Sequence, residues 1–439
     1  MNTLQKAKIL GDAGRYDSCG PKMCEVNVGN GLNGIYYAKA EHKTCRIFKT
    51  LMDNTCKFDC KYCANSTSVK NSGGSKVGGN CGCKKKVRYE PKELADLFMY
   101  LHHNLDVNGL FLSSGVSSDP NRSTERMIEA VKILRQKRSY RGYIHFKVLP
   151  GTNYDLVKQA SEMANRMSIN IEAPNKSAMS ELSDCKDFKV DILRRQSWIS
   201  RIATKARKKQ TDYISGTMNR QLGGGQATQL ILNRISSDKD VLKMVDWEYK
   251  NLELKRIYYS SFRPVKGTPL EKEKADPISR QNHLYNVDFL MRCYGFKAKE
   301  FFEIMVEDKT GLYGADMLPN EDPKLALAKA TFDSAVDINE ASYEELIRIP
   351  GIGPTTAKKI VNMRNGVKID KYISFSGKIN NSEISNNNSN NNIKNKITRK
   401  KDKVINKYED LHKLGGWVKR AKPFISVNGM RQMRLGEVC

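Results

Sequence analysis

Between Arg46 and Ser261 the chain alternates short apolar, strand-like runs with longer amphipathic ones. This alternation limits the fold more than any other feature. Strand patterns fall at Arg46 to Asp53, Val107 to Leu112, Tyr143 to Leu149, Met167 to Ile171, Gln226 to Leu232 and Arg256 to Ser261. Helical patterns lie between them, at Pro91 to His103, Arg122 to Arg138, Asn153 to Arg166, Leu182 to Lys208 and Asp238 to Asn251. Pro91 suits a first helical turn, where its missing N–H has no intrahelical partner to lose. Six strands joined by helical crossovers predict an α/β chain with a parallel sheet or barrel, wound in one sense by right-handed connections. In such barrels the chemistry gathers at the C-terminal ends of the strands. Ser113, Ser114 and Gly115 follow the second strand and Lys147 ends the third. Asn170 and Glu172 end the fourth, Asn233 and Arg234 the fifth, and Ser260, Ser261 and Arg263 the sixth.

At the end of the first strand stands Cys56-Lys57-Phe58-Asp59-Cys60-Lys61-Tyr62-Cys63. Ordinary [4Fe–4S] sites use four cysteine ligands. Three thiolates on one tight loop hold three irons and leave the fourth open, and an open position distinguishes a catalytic metal from a structural one. The competing reading is a zinc knot, but zinc favours four ligands in two paired groups, and no C-x2-C or His pair lies downstream. Of eleven cysteines, eight precede residue 84. In a long chain with no export signal, metal binding or catalysis explains them better than disulfides. Cys19, Cys24, Cys45, Cys81 and Cys83 leave two readings open: a second cluster or zinc nucleated by Cys81-Gly82-Cys83, or reduced thiols that ligate nothing.

With 439 residues the chain has room for two or more domains. Its net charge of +27 bears on partners and not on fold: nucleic acid is the leading polyanion, a membrane surface the alternative, and a lysine-rich solvated surface the bland explanation. No apolar run approaches the roughly 20 residues of a membrane-spanning helix, and Met1 to Leu10 has no apolar signal core. Both predict a cytoplasmic protein with no membrane partner.

A second motif, Ile349-Pro350-Gly351-Ile352-Gly353-Pro354, sits between two helical patterns. The first runs from Ala341 to Arg348, with Ser342 and Glu345 at capping-box spacing and Asn339 as an alternative cap. The second starts at Pro354 or Thr355 and continues through Arg364. A Gly-x-Gly hairpin presents backbone N–H groups at a helix N-terminus, a ready anion site. Lys358 and Lys359 follow one turn later, and Thr355 begins the turn. Pro277 to Phe302 also reads as helical, with Arg280, His283, Tyr285, Asp288 and Arg292 as polar members, and Asp322 to Phe332 as a further helix. The tract from Lys371 to Lys401 is dominated by Asn, Ser, Ile and Lys and has the composition of a disordered insert. Leu411 to Ile425, with Leu414-Gly415-Gly416-Trp417, resumes an ordered pattern.

The cysteine spacing, with Tyr62 just before the last thiol, resembles the signature of the radical S-adenosylmethionine (SAM) superfamily. The Gly351 hairpin, led in by Val336-Asp337-Ile338-Asn339, resembles the helix-hairpin-helix module, which grips a DNA backbone without reading bases. Thr55 to Asn65, Gly109 to Val116, Gly142 to Pro150, Met167 to Pro174, Arg256 to Pro264 and the hairpin together resemble a bacterial family described as DNA modification or repair radical SAM proteins.

The resemblance implies a partial (β/α)6 TIM-like barrel with a small all-α helix-hairpin-helix domain at the C-terminal end. The implied regions are an N-terminal cysteine-containing extension (1–45), the barrel (46–275), a helical linker region (276–334), and the helix-hairpin-helix module (335–439) interrupted by the Asn-rich insert (371–401). It implies a [4Fe–4S] cluster on Cys56, Cys60 and Cys63, and SAM held near Tyr62, Ser113, Ser114, Gly115, Asn170 and Glu172. Reductive cleavage of SAM would give a 5′-deoxyadenosyl radical that takes hydrogen from substrate. DNA would be gripped by Gly351, Gly353, Thr355, Lys358 and Lys359, and electrons would come from a low-potential donor such as flavodoxin or ferredoxin. Two serines replace part of the usual Gly-Gly-Glu type motif after the second strand, and Asn233 stands where many relatives have Gly. Lys147 and Arg263 are candidates to neutralise the methionine carboxylate or a phosphate. Tyr258, Tyr259 and Phe262 are either core or a stacking platform for a flipped base. Gly223-Gly224-Gly225 reads as a linker. Two other functions stay open: a radical SAM enzyme acting on RNA, and a non-enzymatic DNA-binding protein with a structural or sensing cluster.

Overall fold

A computed structural model describes residues 1–14, 34–40, 43–69, 85–210, 221–309, 311, 313–365 and 405–429. The Asn-rich tract, the 71–82 loop, and Cys19, Cys24, Cys81 and Cys83 lie outside the described residues. The chain divides into two compact units, one of Met1–Asp288 with Lys297–Asn320, the other of Phe289–Phe296 with Glu321–Cys439.

The first unit is built on one curled seven-stranded sheet whose spatial order follows the chain. The strands are β1 (Ile35–Ala40), β2 (Lys43–Leu51), β3 (Val107–Ser113), β4 (Tyr143–Lys147), β5 (Arg166–Ser168), β6 (Gln226–Leu232) and β7 (Arg256–Ser261). β2 to β7 run parallel, as the alternation predicts. β1 runs antiparallel to β2, from Ile35 opposite Phe48 to Ala40 opposite Lys43, and the sequence reading did not include it. Every residue of β6 is buried, the polar Gln226, Thr228 and Gln229 included, and β3 nearly so: a parallel strand is covered on both faces.

The helices of this unit are α1 (Thr3–Ala13), α2 (Pro91–Leu105), α3 (Pro120–Lys132), α4 (Tyr154–Ser161), α5 (Lys176–Leu182), α6 (Arg194–Gln210), α7 (Asp238–Leu252), α8 (Ile278–Phe289) and α9 (Ala298–Phe302). Their starts are capped by Asn2, Asp119, Asn153, Asn175 and Ser237, which satisfy amides that the helix leaves without partners.

The helix expected from Leu182 to Lys208 is broken. α5 ends at Leu182, Ser183 to Asp187 form a loop, and a wide π turn at Phe188–Leu193 leads into α6. The break follows from side chains that bond outward to the cysteine loop. Of the polar residues of α8, Arg280, Tyr285 and Asp288 are buried. Arg280 is buried, its Nε donating to Asp238 Oδ1 at 2.8 Å and its Nη1 to Asp276 Oδ1 at 3.0 Å and the Asn233 carbonyl at 2.7 Å. This clamp fixes the end of β6 and the start of α7. Gly225 occupies the left-handed region (φ +64), and Gly224 abuts the Asn165 carbonyl. The glycine run thus ends in a tight turn into β6, not in a linker.

The second unit contains α10 (Pro323–Thr331), α11 (Tyr343–Arg348), α12 (Pro354–Arg364), α13 (Tyr408–Lys413), α14 (Val418–Ala421) and a two-residue parallel pair, β8 (Val336–Asp337) with β9 (Ile425–Ser426). Ser342 caps α11 in a full capping box with Glu345. Asn339 serves elsewhere: its side chain donates to the Ile405 carbonyl at 2.8 Å and accepts from the Ile405 amide at 2.9 Å. Together with β8 and β9, that pairing closes the module across the insert.

Candidate active site

Six parallel strands place their C-terminal ends around one cavity of about 200 Å³. Cys56, Cys60 and Cys63 line it from the end of β2, Ser113, Ser114 and Gly115 from β3, Lys147 from β4, Asn170 and Glu172 beyond β5, and Ser260, Ser261 and Arg263 from β7. Tyr62 lines it as well. The structure therefore brings together all the residues that the sequence reading put near cluster and cofactor. Asn233 and Arg234 are the exceptions among the strand ends. They line a neighbouring hollow, where Arg234 pairs with Glu273 at 2.5 Å. Of the aromatic trio, Tyr259 is buried against Tyr285 (ring centroids 5.1 Å apart) and is core, whereas Phe262 lines the cavity.

The cysteine loop is held from several sides. The Lys57 amide donates to the Val116 carbonyl at 2.7 Å, and the Cys63 amide to the Cys60 carbonyl at 3.1 Å. Gly115 donates to the Asp53 carbonyl at 2.7 Å, and a Cβ on it would sit 2.3 Å from the Thr55 carbonyl oxygen. A glycine is needed there because the chain just after β3 passes directly against the backbone that leads into the cysteine loop.

Asp59 joins this loop to Ser183–Lys186. Its carboxylate accepts from Ser183 Oγ at 2.5 Å, the Asp184 amide at 2.9 Å and Cys185 Sγ at 2.9 Å. Although its partial burial works the other way, these bonds hold the carboxyl at about 2, well below the usual range. The Lys61 amide adds a bond to the Leu182 carbonyl at 2.9 Å.

The same loop delivers Lys186 to the cavity, where it hydrogen-bonds Cys60. Burial alone would lower the Lys186 ammonium, but the charges of Cys60 and Glu172 outweigh it and raise the group. Burial pushes the Cys63 thiol up to about 12, with Cys60 adding to the effect, and raises Cys56 against the amides of Val116 and Phe58. Raised thiols such as Cys56 and Cys63 lose their protons on coordination, since a bound metal deprotonates a thiol outright.

Glu172 is buried in the left-handed region (φ +63), unusual for a side chain of its size. Its amide donates to the Gln229 carbonyl at 3.0 Å and its carbonyl accepts from the Ile231 amide at 2.9 Å, so β6 fixes the strained residue. Tyr62 hydrogen-bonds the carboxylate, and burial followed by the Glu172 charge raises its phenol. Non-glycine outliers of this kind persist where the surrounding structure over-determines them, commonly at functional sites. Asn65, also lining the cavity, keeps a buried Oδ1 with no partner among the described residues.

Lys186, Asn65 and the Asp59 latch were not singled out from sequence. The signal available was Asp59 itself, a carboxylate inside a cysteine run whose own charges would repel it.

Among the described residues, no group of three or more His, Cys, Asp or Glu side chains is placed to hold a metal ion. A cubane cluster asks for a different arrangement: each corner iron takes its own thiolate, so the sulfurs line a wall instead of meeting at a point. Three cysteines of one loop lining the cavity, a lysine beside them, and an Asn65 Oδ1 with no partner among the described residues fit that group.

The model of the radical SAM superfamily matches residues 51–210, which include all three cysteines and α6. The chain carries a radical SAM domain. Members of that superfamily are enzymes, and their cofactors are a [4Fe–4S] cluster and SAM. The helix-hairpin-helix motif matches residues 332–369.

Solved structures similar to this chain include a maturase of the [FeFe]-hydrogenase (12% identity, 56% of this chain and 49% of that one, TM-score 0.39) and methylornithine synthase (15%, 56% and 61%, 0.41). Coproporphyrinogen III oxidase from Escherichia coli, a radical SAM enzyme, matches at 12% identity over 70% of this chain and 64% of that one, with a TM-score of 0.32. The chain spans 49% and 61% of the first two. No curated protein matches it.

In the second unit, Gly353 caps α12, and Ile352 is buried beneath the hairpin. Gly351 takes φ +88, and its carbonyl accepts from the Trp417 amide at 2.8 Å. A Cβ on Gly351 would lie 2.4 Å from the Trp417 carbonyl. Thr355 and Lys358 are exposed and Lys359 is half-exposed, all on the first two turns of α12. Leu414-Gly415-Gly416-Trp417 makes a second hairpin between α13 and α14, with Gly415 at φ +90 and Trp417 61% exposed. No helix among the described residues is long and apolar enough to cross a membrane.

Proposed function

We propose that this protein is a radical SAM enzyme acting on nucleic acid, with DNA held by the helix-hairpin-helix module and a base or sugar presented to the barrel cavity. The observation that carries the reading is the convergence of Cys56, Cys60 and Cys63 with Ser113 to Gly115, Asn170 and Glu172 on one cavity.

In this reading the thiolates of Cys56, Cys60 and Cys63 would hold a [4Fe–4S] cluster. When bound, cluster and SAM together supply one-electron reductive cleavage and a hydrogen-abstracting radical. The protein's own residues do the rest. Ser114 and Gly115 give a small rim that a methionine moiety can approach closely. Glu172, fixed by β6 and bonded to Tyr62, accepts from hydroxyl groups. Lys186 and Arg263 balance carboxylate charge at the cavity wall, and Phe262 helps exclude water. Asp59 keeps Lys186 and the cysteine loop in register.

The hairpin around Gly351 offers amides at the start of α12, with Lys358 and Lys359 beside them, which suits phosphate without reading sequence. A base inside a duplex would have to leave the stack to reach the cavity. Electrons would come from a low-potential donor such as flavodoxin or ferredoxin.

Anaerobic reconstitution tests this. The chain should bind about four irons and release 5′-deoxyadenosine with dithionite and SAM. Cys56→Ala, Cys60→Ala and Cys63→Ala should each abolish that release. Full iron loading without 5′-deoxyadenosine would instead support a structural or sensing cluster. Competition between duplex DNA and structured RNA across a salt series separates the two substrate classes.

A further inference from the structure

The outer wall of the radical SAM domain carries an aromatic and basic groove that the proposed function does not use. α6 contains Arg194, Arg195, Arg201, Lys205, Arg207, Lys208 and Lys209 and no acidic residue. Arg194, Trp198, Arg201 and Lys205 recur at helical spacing and share one face; the three cations are exposed and the indole is half-buried. Tyr154, the first residue of α4, is 42% exposed. Its ring meets Trp198 edge to face, centroids 5.5 Å apart at 82°. Tyr154, Trp198, Arg201, Ile202 and Lys205 line a hollow of about 180 Å³.

The platform is rigid. Arg195 stacks on the indole, its guanidinium 5.0 Å from the ring centroid. It is held there by bonds to the Thr152 and Gly151 carbonyls, each at 2.7 Å, and to the Val190 carbonyl. The nearby acid, Asp191, faces Arg195 at 3.9 Å, and among the described residues no acid pairs with Arg201 or Lys205. Helix packing alone accounts for Ile202, which is buried, but not for an exposed tyrosine against a half-buried tryptophan flanked by a row of cations.

The groove also lies close to the cavity along the chain. Leu149 and Pro150 line the cavity, Gly151 and Thr152 bind Arg195, Asn153 caps α4, and Tyr154 lines the groove. Four residues of extended chain span at most about 14 Å, or roughly four stacked nucleotides.

We infer that this groove binds a nucleic-acid strand leaving the cavity, with a base stacked at Trp198 and Tyr154 and phosphates on Arg201 and Lys205. Aromatic platforms bordered by cations bind single strands with little sequence preference. The inference rests on the reading that the substrate is nucleic acid.

The test is anisotropy of a fluorescein-labelled single-stranded oligonucleotide and its duplex with the full chain, across a salt series. Trp198→Ala should weaken single-strand binding about tenfold, and Trp198→Phe should retain most of it. Arg201→Gln with Lys205→Gln should lower the slope of log affinity against log salt by about 1.4. Iron content and melting temperature, read in parallel, separate these effects from misfolding. Wild-type strength in all variants would overturn the groove and leave the nucleic-acid reading standing. A wild-type chain that binds neither oligonucleotide would overturn both. A double variant that binds strands normally but is reduced more slowly by flavodoxin would assign the patch to an acidic protein and also overturn the groove.

Discussion

The carboxylate of Asp59, inside the cysteine run, accepts a hydrogen bond from the hydroxyl of Ser183, 124 residues later. With the Asp184 amide and Cys185 Sγ on the same carboxylate, this bond makes one rigid piece of the loop that carries the thiols and the loop that carries Lys186.

Removing that acceptor should loosen the site before it unfolds the barrel. Asp59→Ala leaves at least two donors without their partner, at a cost of about 1–3 kcal/mol. The expected result is a modest fall in melting temperature, iron content well below wild type after identical reconstitution, and an altered electron paramagnetic resonance signal on adding SAM. Asp59→Asn, which keeps one acceptor oxygen, should fall between. Normal iron content and an unchanged signal in Asp59→Ala would show that the latch does not position the cysteine loop.

Glu172 should separate cofactor binding from cluster binding. Its strained backbone is fixed by β6, not by the carboxylate, so Glu172→Ala should fold and load iron normally. Loss of a hydrogen bond to a charged acceptor costs about 1.5–3 kcal/mol, a ten- to hundredfold weaker SAM affinity. Isothermal titration of the reconstituted variant reads this directly, and unchanged affinity would remove Glu172 from the cofactor site.

Gly351 carries the hairpin. Gly351→Ala places a side chain in the left-handed region at about 1–2 kcal/mol, and its Cβ would meet the Trp417 carbonyl. Melting of the second unit should shift down, and the salt slope of DNA binding should fall by about 1 or more as backbone contacts to phosphate are lost. A variant that binds DNA with an unchanged salt slope would argue against the hairpin as the phosphate grip.

A pH dependence follows from Glu248, buried on α7. Gln196 Nε2 donates to its Oε1 at 2.8 Å, while Glu248 Oε2 and Gln196 Oε1 lack partners among the described residues. Burial pushes the carboxyl up from 4.5 to about 8, against the Gln196 bond. The folded chain therefore keeps a proton that the unfolded chain loses above about pH 4.5. This contribution is full below that pH, falls by at most about 1.4 kcal/mol per unit as pH rises, and is gone above about 8. Glu248→Gln should flatten the wild-type decline in urea stability between pH 5 and 8. Parallel declines in the two proteins would show that Glu248 is ionised in the fold.

Much of this architecture is legible in the sequence because periodicity reports burial. β3 and β6 are covered on both faces, and each carries a short apolar run, Leu110 to Leu112 and Leu230 to Leu232; the parallel order of β2 to β7 follows from the helices between them. The cavity was legible because barrels place their chemistry at strand ends, so counting strands locates Ser113 and Glu172. What escaped is what long-range hydrogen bonds decide. Leu182 to Lys208 has mostly helical composition, yet Ser183, Asp184 and Cys185 leave the helix and donate to Asp59. Arg280 looks like a surface cation, but it is buried because Asp238 and Asp276 lie beside it in space. β1 is an antiparallel edge strand of mixed polarity, with no run long enough to stand out.

The central claim is that radical chemistry in this cavity is directed at DNA. Reconstituted protein, reduced with dithionite and given SAM and perdeuterated DNA, should produce 5′-deoxyadenosine carrying deuterium, with none when the DNA is unlabelled. Release of 5′-deoxyadenosine at the same rate with and without DNA, and without deuterium in either case, would contradict the account.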